Sequence, residues 1–137
     1  MGRKRLRDMT WEDYGISKYR YRELKAFCLQ YPEKKEQLSY GLNSVAGDGS
    51  GRSGRIGRPT ESQAIHNEHY SRDVTMIEQA AIAASADIYP WILASVTEDL
   101  NYYDLLVHPV LGPVPINKAD FYGYRRLFYS ILNNKRK

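Results

Sequence analysis

Apolar positions along this chain recur at helical spacing, and no useful length alternates with the two-residue period of a strand. Tyr21, Leu24, Phe27 and Cys28 form one stripe, with Ser17 placed to cap a helix running to about Tyr31. Pro32 suits the first turn of a second, short helix that Gly41 would end, and Glu33 favours its positive pole. The longest helix is predicted from Thr60 to about Ser85, opened by Pro59 and Glu61, with Ile65, Met76, Ile77, Ala80, Ala81 and Ala84 on its packing face. Asp87 is placed to cap a helix through Trp91 and Leu93 to about Thr97, and Tyr102 to Val107 reads as one more short helix. Beyond a turn studded with Pro109, Pro113 and Pro115, Asn117 caps a last helix to about Asn133. The predicted fold class is all-α: a small helical domain with a long central helix and a helix-turn-helix-like unit after it.

Glycine, serine and arginine crowd residues 43–58, which divides the chain into a helical segment 1–42, a flexible linker 43–58 and a helical module 59–137. Charge follows the same joints. Residues 1–58 carry 13 Lys and Arg against 7 Asp and Glu, residues 59–116 carry 1 against 8, and residues 117–137 carry 6 against 1, or +6, −7 and +5 within a total of +4. Basic ends around an acidic middle point to a polyanion, because lysine and arginine that neutralise phosphates release counterions.

The last helix is the most informative segment. Phe121, Tyr124, Leu127, Phe128, Ile131 and Leu132 fall on one side and are expected to pack inward. The other side presents Asn117, Lys118, Tyr122, Arg125, Arg126, Tyr129 and Asn133, followed by Lys135, Arg136 and Lys137. Arginine can read guanine edges bidentately, lysine and tyrosine can hold phosphates, and the first turn of a helix commonly enters a major groove. A solvated amphipathic helix would show the same pattern. Lys118 and Arg125 are the foremost candidates for facing the duplex, with Arg3, Lys4, Arg5, Arg52, Arg55 and Arg58 as auxiliary phosphate contacts. His108 to Ile116 is longer than a standard helix-turn-helix turn.

Other chemistry finds little support. Gly49-Ser50-Gly51-Arg52-Ser53-Gly54 satisfies a G-x-G-x-x-G expression but follows no strand and precedes no acidic residue at dinucleotide-fold distance. His66, His69 and Asp73 share a helix face without completing a zinc-ligand pattern. No nucleophile elbow, phosphate loop or carboxylate pair is recognisable, so no catalytic residue, cofactor or metal is expected and the chain is not read as an enzyme. Cys28, the single cysteine, reads as a small buried hydrophobe. No apolar run approaches the roughly 20 residues of a membrane span, and the basic start lacks an apolar secretion core, so a cytoplasmic location is expected.

Three phrases carry a family resemblance: Tyr31-Pro32-Glu33-Lys34-Lys35, then Arg58-Pro59-Thr60-Glu61-Ser62-Gln63-Ala64-Ile65 after the linker, then Phe121-Tyr122-Gly123-Tyr124-Arg125-Arg126-Leu127-Phe128-Tyr129. Their order resembles the phage late-gene transcriptional regulators of the RinA and ArpU type, from about Trp11 onward. The resemblance implies a module similar to the promoter-reading region of a sigma factor, double-stranded DNA as partner, contact with host RNA polymerase, and a bacterial cytoplasm as its place of work. Homo-oligomers on paired half-sites fit that role, although no heptad run specifies one. The competing expectation is a phage protein-interaction, assembly or packaging module in which the same helix face docks on a protein, since tyrosine and arginine also dominate interface hot spots.

Overall fold

The computed structural model describes the backbone of residues 4–47 and 61–137, and the side chains of residues 4–39 and 67–137. Described residues are helical with no strand: a 3-10 turn, Leu6–Asp8, then α1 (Lys18–Leu29), α2 (Tyr31–Gly47), α3 (Glu61–Ala84), α4 (Tyr89–Glu98), α5 (Tyr102–Leu106) and α6 (Lys118–Lys135).

Local chemistry places most of these boundaries. Ser17 Oγ accepts the Arg20 N–H at 3.1 Å and starts α1. Asn101 and Asp104 cap α5 reciprocally, each side chain taking the other's backbone N–H. Asn117 Oδ1 accepts the Asp120 N–H at 2.9 Å and starts α6. Asp87 does not cap α4. The N-cap is Ile88, which is buried, and its N–H goes to Ser85 Oγ at 3.3 Å instead. Pro90 stands in the first turn as expected, and α4 ends at Asp99 in the left-handed region, φ 56°, which aspartate tolerates better than most residues.

Gly41 does not stop α2, which continues to Gly47 through the first part of the expected linker. A glycine inside a helix costs only about 1 kcal/mol relative to alanine, and α2 packs along α3, so tertiary contact outweighs that penalty. The rest of the linker, with Arg52, Arg55 and Arg58, lies outside the described residues.

The segments before and after the linker share one core. Leu24 and Cys28 of α1, Ile77 and Ala81 of α3, Ile92 of α4 and Phe128 of α6 are all fully buried in the same cluster. α3 brings Ala80, Ala81 and Ala84 to this core. α6 is the hub, packed against α3, α4, α1 and the 3-10 turn. No helix among the described residues is long and apolar enough to cross a membrane.

Candidate nucleic-acid interface

Packing on four sides leaves α6 with little of the outward stripe that its sequence predicts. Tyr129 is 0% exposed and lies among the rings of Trp11, Tyr21 and Phe128, with centroids 5.8, 5.2 and 5.1 Å away. Its hydroxyl has no hydrogen-bond partner among the described residues, and burial pushes its pKa up. Arg125 is turned inward as well. Its Nε donates to Ser95 Oγ at 3.0 Å, Nη1 reaches Tyr21 Oη at 3.4 Å, and the guanidinium sits 5.3 Å from the Tyr129 ring centroid. Ser95 can accept because its own hydroxyl proton goes to the Leu100 carbonyl at 2.6 Å.

Arg126 and Tyr122 are also committed within the fold. Arg126 donates to the carbonyls of Met9 (2.7 Å) and Arg7 (2.9 Å), clamping the N-terminal segment onto α6. That segment comes so close because residue 123 is glycine: a Cβ there would lie 2.9 Å from Arg7 Cα. Tyr122 Oη accepts the Tyr102 N–H at 3.0 Å, and Asn133 Oδ1 accepts from Arg20 Nε at 2.6 Å. The expectation that Tyr122, Arg125, Arg126, Tyr129 and Asn133 face outward is therefore corrected. The apolar side expected to be innermost is buried at Phe121, Phe128 and Leu132, but Tyr124, Leu127 and Ile131 are only half-buried.

What α6 does expose lies at its two ends, roughly 27 Å apart for 18 residues at 1.5 Å each. At the first end are Asn117 and Lys118, but Lys118 Nζ rests 4.8 Å from the Tyr103 ring centroid, with Asp120 in the same turn and Asp104 on the neighbouring α5. At the far end are Lys135, Arg136 and Lys137, all exposed. Lys135 lines a groove of about 670 Å³ together with Arg72, Ser71, Thr75, Met76 and Glu68 of α3. Arg136 stacks on Phe27 with its Cζ 3.8 Å from the ring centroid, so its position is fixed without an acidic partner. Among the described residues, none of Arg72, Lys135, Arg136 and Lys137 takes part in an ion pair.

The auxiliary bases divide differently. Lys4 is paired with Asp13 at 2.9 Å, which with the Thr10 N–H holds that carboxyl down at about 2. Arg5 is exposed, and Arg3 lies outside the described residues. Asp73 pairs with Lys34 at 2.8 Å, and among the described residues no group of His, Cys, Asp and Glu could hold a metal. The pairing of Arg72 with Lys135 was missed by the sequence reading, and no local signal could have found it, because it depends on how α3 crosses α6. Comparison with protein-family models, curated proteins and solved structures finds no match.

Proposed function

We propose that this chain is a DNA-binding protein that holds the phosphate backbone with the basic end of α6, and that the resemblance to phage late-gene regulators describes its role in transcription. The observation that carries the reading is the group of Lys135, Arg136, Lys137 and Arg72, gathered at one end of the hub helix with no carboxylate paired to any of them among the described residues. Cations left unpaired in this way give a favourable counterion-release contribution when phosphates replace their solvent ions. Arg125 and Arg126 enter the reading as structural side chains, since each spends its donors inside the fold. Contacts from such a cluster position a protein on duplex without reading bases, so sequence preference would come from elsewhere, with Lys118 the exposed side chain of the first turn of α6 and Asn117 held by its capping bonds to Asp120.

The test is binding of the whole chain to random duplex and to duplex from the neighbourhood of its own gene, at about 50 and about 200 mM salt. Phosphate-led binding by several cations falls by orders of magnitude over that interval. Absence of binding at the lower salt overturns the proposal.

A further inference from the structure

The basic end of α6 carries its cations on two sides. Lys135 lines the groove against α3 with Arg72, Ser71, Thr75 and Met76, whereas Arg136 turns to α1 and rests on Phe27. That contact is made by the guanidinium itself: Cζ stands 3.8 Å from the ring centroid, a distance possible only over the face of the ring. Phe27 is 6% exposed and belongs to the core, so it is a fixed support. Arg136 is exposed. One side of a planar cation is thus seated on a buried ring, and the other side looks to solvent.

The charge around this plate is cationic after its acids are counted. Lys34 Nζ lies 4.5 Å from the centroid of the same Phe27 ring and is held by Asp73 at 2.8 Å, and Glu23 is paired with Arg20 at 3.5 Å. Glu33 beside Lys34 and Glu68 in the groove have no ion pair among the described residues. Against these two carboxylates stand Arg72, Lys135, Arg136 and Lys137, all exposed and equally unpaired.

An exposed guanidinium plane is a surface on which an unpaired base stacks. In plain duplex both faces of a base are taken by its neighbours, so Arg136 serves duplex only as a charge. Duplex also cannot follow the cations round the helix end, being stiff over about 50 nm, whereas a single strand can run from Arg136 into a groove of about 670 Å³. We infer that the basic end of α6 takes an unpaired nucleotide, with its base on the free side of Arg136 and its flanking phosphates on Lys135, Lys137 and Arg72. The preferred DNA is then locally opened or single-stranded, a choice that rests on the DNA-binding role proposed above.

Anisotropy of labelled DNA with the full chain at low salt tests it on three probes: a duplex, the same duplex with a central run of mismatched bases, and that second form with abasic sites in place of the mismatched bases. The mismatched form is expected to bind at least about fivefold more tightly than the duplex, the lower end of what one stacked base contributes. Taking the bases away leaves the loosened phosphates in place and should abolish the gain. Arg136→Lys, which keeps the charge and loses the plane, should abolish it too while leaving duplex affinity unchanged; helical circular dichroism equal to the wild type will show that the variant is folded. Equal binding of duplex and mismatched DNA, or a preference that survives either change, overturns the inference and leaves duplex binding standing. No binding to any of the three overturns the DNA-binding role and this inference with it.

Discussion

Arg125 on α6 and Ser95 on α4 are joined by a 3.0 Å hydrogen bond from a guanidinium that also reaches Tyr21 and lies against Tyr129. A buried cation with neutral partners is stabilising only while those partners satisfy its donors. Arg125→Ala should therefore destabilise the fold by about 2–4 kcal/mol, since Ser95, Tyr21 and Tyr129 all lose a neighbour in the core. Arg125→Met, which fills similar volume without a charge to desolvate, should lose less. Urea unfolding of both variants checks the order.

Gly123 is the second point of leverage. A methyl group there meets the backbone of Leu6 and Arg7 at 2.9–3.0 Å, and backbone cannot swing aside as a flexible side chain would. Gly123→Ala gains helix propensity of about 1 kcal/mol but should lift the N-terminal segment from α6, for a net cost of about 1–2 kcal/mol. Trp11 stands 4.6 Å from Tyr21, centroid to centroid, so its fluorescence and faster proteolysis before Ile16 report the release.

High pH should unfold this chain in a defined window. Burial pushes the Cys28 thiol from 9.0 up to about 12, and it also raises Tyr129 and Tyr31. Groups whose pKa is raised by folding leave stability intact below their ordinary values and withdraw it as pH climbs towards the folded values. Unfolding free energy should thus hold up to about pH 9 and then fall by about 1.4 kcal/mol per pH unit for the thiol, with the tyrosines adding to the slope only above about pH 10. Urea midpoints from pH 8 to 11 measure this, and Cys28→Ala should remove the thiol's share. At pH 8 the same thiol should react with a disulfide reagent only after denaturation.

Rigidity of the turn after α5 rests on His108 and Trp91. His108→Ala frees the Val110 and Leu111 N–H groups, and Trp91→Phe frees the Gly112 carbonyl. Each should cost about 1–2 kcal/mol and speed amide exchange at residues 110–112 while leaving α1 and α3 protected.

Signals confined to one turn of chain were legible in the sequence. Ser17 and Asn117 announce α1 and α6 because a cap needs only a side-chain oxygen and an N–H three residues on, and the alanines near Ala80 announce α3. The inner side of α6 was legible only in part, at Phe121, Phe128 and Leu132. A single apolar stripe predicts one buried face, but α6 is enclosed by four elements, and what turns Arg126 into a clamp is the distant backbone of Arg7 and Met9 seated on Gly123. Nothing near Arg126 in sequence encodes that contact. The candidate site shifted for the same reason: Lys135 and Arg136 kept the exposure expected of them, whereas Arg125 is half-buried with its donors turned inward and Tyr129 took up a core position.

The central claim is that the end of α6, and not its middle, holds DNA. It is tested most directly by comparing how duplex affinity varies with salt for the wild type, for Lys135→Ala with Arg136→Ala and Lys137→Ala, and for Arg125→Met. Each phosphate contact contributes about 0.9 to the slope of log affinity against log salt. The triple variant should lose about 2–3 from that slope, and Arg125→Met, once shown to be folded, should keep it. A slope unchanged in the triple variant and reduced in folded Arg125→Met would contradict the account and return DNA contact to the stripe that the fold places inside.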